Sequence, residues 1–255
     1  MIQTMPVKLS VNLNKVALLR NQRDVGYPCV LEAARMVAAA GAHGITAHPR
    51  PDERHIRQSD VLELAALIAA ELHPAVEYNI EGYPSDDFLG LIRAVRPTQV
   101  TLVPDAPEQR TSDHGWDLER DAGRVSGLIG ALKESGARIS LFMDPDPAAM
   151  RMAAGVGADR IELYTGPYAE AFAEGEAAIL LRRYAQAAEA AKDAGLGVNA
   201  GHDLNLDNLP AFCEALPQLA EVSIGHAITA DALRIGFPAA VEAYLRAIKR
   251  VSLAA

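Results

Sequence analysis

The chain has 255 residues, half of them apolar, and its 24 basic and 33 acidic side chains give a formal net charge of −9 at pH 7. This composition predicts a packed globular core rather than disorder, and the scattered basic residues argue against a nucleic-acid partner. No apolar run approaches the roughly 18–20 residues of a membrane span, the N-terminus lacks a signal-peptide core, and Cys29 and Cys213 give neither a disulfide framework nor metal-ligand spacing, so we expect a cytoplasmic protein without a membrane partner.

Hydrophobic periodicity predicts short strands and longer helices that alternate along the whole chain. The predicted strands are Lys8–Asn14, Gly44–His48, Ala75–Glu81, Gln99–Pro104, Arg138–Asp144, Arg160–Thr165, Gly197–Gly201 and Glu221–Gly225. The predicted helices are Cys29–Ala40, Asp60–Glu71, Asp86–Val95, Asp117–Glu134, Pro147–Gly155, Glu174–Ala194, Leu209–Leu216 and Ala230–Val251. Glycines such as Gly41 and Gly195 follow predicted helices, where they accept the left-handed conformation that ends a helix.

Eight strands and eight helices in one uninterrupted series, with a repeat of about 32 residues, are typical of βα units that close into a barrel. We therefore predict an α/β protein with the (β/α)8 TIM-barrel fold, built as a single domain over residues 1–255. The alternative is a doubly wound open sheet, which usually begins with a glycine fingerprint. No G-x-G-x-x-G follows the first strand, and no G-x-x-x-x-G-K-[ST] occurs in the sequence.

Polar and titratable side chains are concentrated where the predicted strands end. Barrel enzymes place their active sites at these ends, and burying such groups is costly unless they pair or bind something. The strand starts carry a few charges but no histidine. The residues of this cluster are Asn12, Asn14, Lys15, His48, Arg50, His55, Glu81, Glu162, His202, Asp203 and His226. We interpret it as an active site rather than as a merely polar barrel rim.

The second and third strands suggest phosphate binding and proton transfer. Arg50 lies two residues after His48 and shares its face. An arginine can fork onto phosphate oxygens while a histidine donates or accepts a proton. Glu81, at the end of an alternating strand, is a candidate general base, or alternatively the partner of Arg50 or Arg23 in a buried salt bridge. Glu162 has the same two interpretations.

Glycine-histidine pairs end the last two strands, at Gly201-His202 and Gly225-His226. This position matches the phosphate site of many barrels, where backbone N–H groups and a helix N-terminus hold the anion; two tight turns are the alternative. For metal binding, the sequence has no His-x-x-x-His or Cys-x-x-Cys. His48, Glu81, Glu162 and His202 could converge on a divalent ion, but we expect no metal.

An ordered set of motifs along nearly the whole chain resembles the pyridoxine 5′-phosphate synthase family. The matching motifs are Val11-Asn12-Leu13, Leu19-Arg20-Asn21-Gln22-Arg23, Gly44-Ile45-Thr46-Ala47-His48-Pro49-Arg50, Arg54-His55-Ile56, Asn79-Ile80-Glu81, Leu102-Val103-Pro104, Ser140-Leu141-Phe142, Ile161-Glu162-Leu163, Thr165-Gly166, Val198-Asn199-Ala200-Gly201-His202 and Ile224-Gly225-His226-Ala227. The resemblance implies a barrel with a few extra helices and a homo-oligomer, an octamer. It implies a transferase-type condensation of 3-amino-2-oxopropyl phosphate with 1-deoxy-D-xylulose 5-phosphate, without metal or organic cofactor.

The resemblance also implies a role for each matching residue. His48 and Glu81 are expected to accept protons, His202 to donate one, and Glu162 to support a charged transition state. The expected contacts to the amino-ketone phosphate are Asn12, Arg23, Asp203, Gly225 and His226. The expected contacts to the sugar phosphate are Arg50, His55 and Thr111. Thr111 falls in the long loop Asp105–Trp116, which we expect to act as a lid.

The chain departs from the family pattern at two places. Many members carry Asp-His where this sequence has Asn14-Lys15. Lys15 is expected to replace the histidine as a contact to the sugar substrate if it points into the site. Position 203 is often glycine in the family. Because a carboxylate beside a bound phosphate repels it unless turned away or paired, we hypothesise that Asp203 contributes only its backbone N–H.

Two other functions fit parts of the pattern. One is another phosphate-handling barrel enzyme, a sugar-phosphate isomerase or aldolase; a Schiff-base aldolase would need a strand-end lysine, for which Lys15 is the candidate. The other is a non-catalytic protein that binds phosphorylated ligands. Binding alone does not need two histidines and two glutamates, which disfavours the second alternative.

Overall fold

The computed structural model describes residues 6–23, 25–105, 109 and 112–249. Within these ranges eight strands form a closed parallel barrel in the order β1 to β8, and β8 pairs with β1. The strands are β1 Lys8–Asn12, β2 Gly44–Ala47, β3 Glu77–Gly82, β4 Gln99–Leu102, β5 Arg138–Met143, β6 Arg160–Leu163, β7 Gly197–Gly201 and β8 Leu219–Ile224. The predicted (β/α)8 barrel is therefore confirmed, and each predicted strand overlaps an observed one.

Eleven α-helices surround the barrel within the described ranges. They are α1 Asn14–Asn21, α2 Val30–Ala39, α3 Gln58–Leu67, α4 Asp86–Val95, α5 Leu118–Lys133, α6 Pro147–Gly155, α7 Gly166–Ala173, α8 Ala177–Asp193, α9 Leu209–Ala215, α10 His226–Ile235 and α11 Phe237–Ala247. A π-helical turn, Ile68–Leu72, continues α3. None of the helices in the described part of the chain is both long and apolar enough to cross a membrane.

Three helix predictions need correction. The short helices α1 and α7 were not predicted. Helix α1 occupies the end of the first predicted strand and the loop that follows it. The final predicted helix, Ala230–Val251, is two helices. The chain breaks at Gly236, whose φ of 81° lies outside the helical range, and Pro238 then occupies the first turn of α11. Val251 lies outside the described residues.

The aliphatic core lies between the sheet and the helices. Along β3, Tyr78 and Ile80 face outward, and the Tyr78 hydroxyl donates to the carbonyl of Val61 on α3. The alternate residues, Asn79 and Glu81, point into the barrel, as the predicted two-residue period requires. The fully buried aliphatic side chains of the other strands, such as Leu9, repeat this arrangement.

The barrel interior is polar, whereas branched aliphatic residues usually fill it. Its middle holds buried hydroxyl and amide side chains: Ser10, Thr46, Asn79, Thr101, Ser140, Asn199 and Ser223. Several of them are hydrogen-bonded across the barrel. Ser10 Oγ and Thr46 Oγ1 are 2.7 Å apart, and Ser223 Oγ donates to Thr46 Oγ1 at 3.1 Å. These bonds satisfy polar groups that would otherwise be costly to bury.

Charged side chains close the opposite end of the barrel, where the strands begin. Lys8 and Arg138 both pair with Glu77, and Arg160 Nη1 lies 3.5 Å from a carboxylate oxygen of the buried Glu221. This network accounts for the charges that the sequence places at strand starts. The open end of the barrel is therefore the end where the strands finish, and the candidate site lies there.

Candidate active site

A cavity of about 600 Å³ lies at the carboxyl ends of the strands. The predicted site residues that line it are Asn12, Asn14, Lys15, His48, Arg50, His55, Glu81, Glu162, His202, Asp203, Gly225 and His226. Arg23 is exposed and is not among the lining residues of the described structure, so the structure does not place it with the others. Thr111 lies outside the described residues. Twelve residues from six strands are thus brought to one place, as the barrel topology predicts.

Sequence reasoning missed several lining residues, because they carry no signal when taken one at a time. They are Leu18, Arg54, Thr101, Val103, Ser112, Phe142, Asn205, Ser223 and Ala227. Thr101, Phe142 and Ser223 sit on strands at positions that point inward. The two-residue period, applied to every strand, would have found these three.

A chain of hydrogen bonds joins the ends of β1, β2 and β3. The amide of Asn12 donates to Glu81 Oε2 at 3.3 Å, and Asn12 Oδ1 accepts the Asn14 N–H at 2.9 Å. Asn14 Oδ1 in turn accepts the backbone N–H of His48 at 3.0 Å. Both asparagines therefore fix the positions of groups that the sequence predicts to accept protons.

His48 and Glu81 are close together and have opposite pKa shifts. Nδ1 of His48 lies 3.8 Å from Glu81 Oε2. Burial, followed by the charges of Arg50 and His55, holds the pKa of His48 well below its ordinary value. Burial raises the pKa of Glu81 to about 7, although the charge of His202 opposes this. At neutral pH the contact therefore joins a neutral imidazole to a carboxyl group that readily gains or loses a proton.

Glu162 lies deeper in the barrel and is 4% exposed. Its Oε2 has no hydrogen-bond partner among the described residues. Burial, and then the charge of Glu81, raises the pKa of Glu162 well above its ordinary value. Two carboxyl groups in one buried site resist carrying two negative charges, so Glu81 and Glu162 do not readily ionise together.

Arg50 is bound to the loop that follows β4. Its guanidinium pairs with the buried carboxylate of Asp105 and donates to the carbonyl of Gln109 at 2.6 Å. The hydroxyl of Ser112 also donates to Asp105, at 2.6 Å. The suggested alternative of a salt bridge between Arg50 and Glu81 is therefore wrong. Arg50 instead connects the end of β2 to the predicted lid loop.

His55 is a neutral hydrogen-bond donor at the same end of the cavity. Its Nδ1 accepts the backbone N–H of Ile56 at 2.9 Å, so the ring proton lies on Nε2. Burial, followed by the charges of Arg50 and Lys15, lowers the pKa of His55 to about 4. Lys15 lines the cavity as expected, and with Arg50 it makes this end positive.

Side chains of α1 form hydrogen bonds to the loop that carries His55. Asn21 Nδ2 donates to the carbonyl of His55 at 2.8 Å, and Arg20 donates to the same carbonyl at 3.3 Å. Arg20 also forms a buried, two-pronged ion pair with Asp60 at the start of α3. The Leu19-Arg20-Asn21 motif therefore positions a cavity residue without lining the cavity itself.

At the end of β7, His202 Nδ1 lies 2.8 Å from Asp203 Oδ2. Burial lowers the pKa of His202, but this hydrogen bond and the charge of Asp203 outweigh burial and raise it. The backbone N–H of Asp203 donates to Thr165 Oγ1 at 3.3 Å. The hypothesis that Asp203 contributes only its N–H to phosphate binding stays a prediction. In this structure the N–H donates to Thr165 Oγ1 and the carboxylate is paired with His202.

Close packing requires glycine at position 201 and leaves little room for a side chain at position 225. A Cβ at position 201 would lie 2.1 Å from the carbonyl oxygen of Ser223, and one at position 225 would lie 3.1 Å from the Cβ of Asn12. Gly225 lines the cavity and precedes α10, whose N-terminus is at His226. This helix end offers free backbone N–H groups to an anion.

No group of three or more His, Cys, Asp or Glu side chains within the described ranges is arranged to hold a metal ion. His48, Glu81, Glu162 and His202 consequently do not form a metal centre here. The arrangement suits proton transfer between groups of different basicity, next to two positively polarised ends that can each hold a phosphate.

Comparison with known proteins identifies close relatives. The profile of the family described as pyridoxal phosphate biosynthesis protein PdxJ matches residues 9–250. A protein of Mesorhizobium japonicum named pyridoxine 5′-phosphate synthase is 56% identical over 244 residues, which is 95% of this chain and 99% of that protein. A protein of the same name from Brucella anthropi is 54% identical over 245 residues, 96% of this chain and 100% of that protein.

Solved structures of low sequence identity share the barrel. A tryptophan synthase structure from M. tuberculosis aligns with a TM-score of 0.62 at 12% identity and covers 96% of this chain and 94% of its own. A phosphoribosyl anthranilate isomerase structure aligns with a TM-score of 0.58 at 14% identity, over 95% and 98% of the two chains. At these identities the likeness shows the fold alone.

Proposed function

This chain belongs to the family of pyridoxal phosphate biosynthesis protein PdxJ, and from that premise we propose that the cavity is the site of a pyridoxine 5′-phosphate synthase reaction. In this reaction 3-amino-2-oxopropyl phosphate condenses with 1-deoxy-D-xylulose 5-phosphate, giving pyridoxine 5′-phosphate, inorganic phosphate and water. Two relatives that are more than half identical over nearly their whole length carry this name.

The observation that carries the proposal is the set of proton-exchanging groups around one cavity. His48 is neutral, Glu81 titrates near pH 7, and His202 has a raised pKa. Ring closure needs protons taken from nitrogen and carbon and given to departing oxygens, so it needs bases and an acid together. A protein that only binds phosphates would not need three such groups.

We assign the roles as follows. Glu81 and His48 accept protons as the substrate amine joins the carbonyl carbon of the sugar. His202, as an imidazolium, donates a proton to a hydroxyl that leaves as water. Glu162 supplies the carboxyl group that supports the positive charge developing on the nitrogen. The amine comes from the substrate, so no lysine of the chain needs to form a Schiff base.

The two phosphates are assigned to the two positively polarised ends of the cavity. Arg50, His55 and Lys15 face the sugar phosphate; Thr111, outside the described residues, remains a prediction for the same phosphate. Gly225 and His226, at the N-terminus of α10, face the amino-ketone phosphate with Asn12. Asp203, whose N–H and carboxylate are both engaged within the chain, remains a prediction for this phosphate. Arg23 also remains a prediction, because it is exposed and the described structure does not place it at the cavity.

We also propose that the protein is a homo-octamer in the cytoplasm. Exposed apolar side chains on α1, α2 and α10, including Leu19, Met36 and Leu233, offer surface for subunit contacts. Cys29 and Cys213 are not joined in a disulfide, which suits a reducing compartment. Light scattering after gel filtration should give about eight times the 27.2 kDa chain mass, and a monomer would contradict the octamer.

An end-point assay tests the reaction. Chelator-treated protein is mixed with both phosphorylated substrates, and fluorescent pyridoxine 5′-phosphate and released phosphate are quantified. Equal amounts of both products without added cofactor support the proposal. Turnover of the sugar phosphate alone would favour an isomerase or aldolase instead, and tight binding of both compounds without any product would favour a ligand-binding protein.

A further inference from the structure

Two consecutive side chains at the end of β7, His202 and Asp203, are hydrogen-bonded to each other at 2.8 Å. Consecutive side chains of an extended strand point to opposite faces and cannot meet in this way. The backbone of His202 resolves the conflict, since its φ of 38° lies in the left-handed region that few residues other than glycine adopt. Strain of this kind is typical of functional sites.

Contacts on three sides fix this corner of the chain. Gly201 packs directly against the carbonyl of Ser223 on β8. The Asp203 N–H donates to Thr165 Oγ1, and the Asp203 carbonyl accepts from the amide of the buried Asn208 at 3.3 Å. The backbone of Asp203 is therefore held in place by groups other than His202, which sets where its carboxylate meets the imidazole.

We propose that Asp203 is a positioning residue for the reaction at this cavity, and that its carboxylate holds the His202 ring through Nδ1 so that Nε2 exchanges protons with the substrate. The inference rests on the proposed function, in which His202 is the proton donor. A carboxylate–imidazole pair of this kind fixes both the tautomer and the orientation of the ring.

The charges around His202 agree with this role. Desolvation favours the neutral imidazole, while the Asp203 hydrogen bond and charge, and then the charges of Glu81 and Asp105, favour the imidazolium. His48 on β2 carries no charge at neutral pH and does not oppose it. The ring of Tyr164 lies edge-on to the His202 ring, and the two ring centroids are 6.5 Å apart. Among these groups, Asp203 is the one that contributes a hydrogen bond.

The pairing also explains how a carboxylate at position 203 is compatible with phosphate binding in the same cavity. A lone carboxylate would repel a phosphate in the same cavity. Paired with an imidazolium, Asp203 belongs to a group of zero net charge.

Nuclear magnetic resonance of the full chain, without substrates, tests the pairing directly. The histidine ring signals of ¹⁵N-labelled protein are followed against pH, and the His202 signals are assigned by their loss in His202→Gln. In the wild type we expect protonated Nδ1 and a titration midpoint above about 6.5. In Asp203→Asn the midpoint should fall by about one pH unit, whereas Asp203→Glu should retain most of the wild-type value.

Asp207→Asn is the matched control, because it removes an exposed carboxylate from the same loop and should leave the His202 midpoint unchanged. Thermal melting checks that each variant is folded, and Asp203→Ser is the second uncharged variant if Asp203→Asn does not fold. An equal His202 midpoint in the wild type and in the folded uncharged variant overturns the proposal.

Kinetics connects the pairing to the reaction. Asp203→Asn should lower kcat at about pH 7.5 roughly tenfold, with KM values within about twofold of the wild type. The basic limb of its kcat profile should move to lower pH by the same amount as the resonance midpoint. If the midpoint moves but kcat and its profile do not, the positioning role is overturned. If the wild type forms no product while the midpoint moves, the pair exists and the proposed function fails.

Discussion

The side chain of Asn14 accepts the backbone N–H of His48 at 3.0 Å, so the first residue of α1 fixes the residue that follows β2. Because His48 sits between this bond and the Glu81 carboxyl, a small movement of its backbone alters the contact between the two proton-accepting groups. A side-chain oxygen at position 14 is therefore needed to hold the His48 backbone in place.

We predict that Asn14→Ala lowers kcat/KM about tenfold, in line with the loss of one hydrogen bond to a positioned backbone group. Alanine is a good helix former, so the melting temperature should change little. Asn14→Asp keeps the acceptor oxygen and should retain activity close to the wild type. Equal losses in both variants would show that the amide N–H₂ group, and not the acceptor, is what matters.

Glu81→Gln should abolish most turnover without preventing substrate binding. Removing a general base typically costs about 10²- to 10⁴-fold in rate, while glutamine retains the size of the side chain and an acceptor for the Asn12 amide. Single-turnover kinetics and equilibrium binding of each substrate check this. A variant that keeps more than about a tenth of the wild-type kcat would remove Glu81 from the chemical step.

The same substitution should stabilise the protein at alkaline pH. The folded pKa of Glu81, about 7, exceeds its ordinary value of 4.5, so the folded state binds this proton more tightly than the unfolded state. The resulting stability is complete below about pH 4.5 and is lost as pH rises through 7. We therefore compare the free energy of unfolding of Glu81→Gln with that of the wild type at two pH values. From acidic pH to about pH 8, the difference should move in favour of the variant by on the order of 3 kcal/mol.

Urea unfolding at both pH values measures this difference. Glu63→Gln, which removes a carboxylate from the exposed face of α3, is measured alongside as the control for the loss of one acidic side chain. If Glu81→Gln changes the free energy of unfolding equally at both pH values, then burial does not raise the pKa of Glu81 in the folded protein.

The buried pair of Arg20 and Asp60 should matter far more than an exposed pair of similar geometry. Asp60→Asn leaves a buried guanidinium without its counter-charge, which typically costs about 3–5 kcal/mol. Glu71→Gln breaks the exposed pair with Arg35 and should cost far less, because solvent screens the two charges. Denaturant unfolding of both variants compares them, and comparable losses would contradict the role of burial.

Asp60→Asn should also weaken binding of the sugar phosphate more than binding of the amino-ketone phosphate. Arg20 connects Asp60 to the carbonyl of His55, whereas the α10 end of the cavity does not depend on this contact. Isothermal titration with each substrate separately measures the two affinities, and an equal loss of both would point to a general disturbance of the fold.

Gly201→Ala should destabilise the protein and reduce activity together. The added Cβ would lie 2.1 Å from the Ser223 carbonyl, and moving backbone to relieve such overlap typically costs about 1–3 kcal/mol. Gly127→Ala adds the same methyl group on the exposed side of α5, where nothing lies within 4 Å. It should stabilise the helix by about 0.5–1 kcal/mol. Thermal melting separates these opposite signs.

Most of the fold could be predicted from sequence, because strand and helix periods alternate along the chain and several helices end at a glycine such as Gly41 or Gly195. The helices α1 and α7 were not predicted because they follow strands closely and are only eight residues long. The helix break at Gly236 was not predicted because apolar residues continue on both sides of it. Periodicity does not detect such a break, although the glycine followed by Pro238 was a usable signal.

The site was predictable to the extent that titratable residues end the strands. The partners of those residues were not. Asp105 pairs with Arg50 from a loop 55 residues away, and Asn21 supports His55 from α1. Neither contact follows from spacing along the chain, since both depend on how loops fold over the barrel mouth. The pairing of His202 with Asp203 depends on a single backbone angle.

The alternation of outward aliphatic and inward polar residues has a consequence for how this protein can change. On β3, Tyr78 and Ile80 anchor helices while Asn79 and Glu81, between them, face the barrel axis. Residues that hold the fold together and residues that determine the chemistry are thus interleaved on the same strands but belong to separate packing environments. Tolerance to substitution should therefore alternate with a two-residue period along every strand. The barrel axis could be redesigned for a different reaction while the aliphatic shell around it is left untouched.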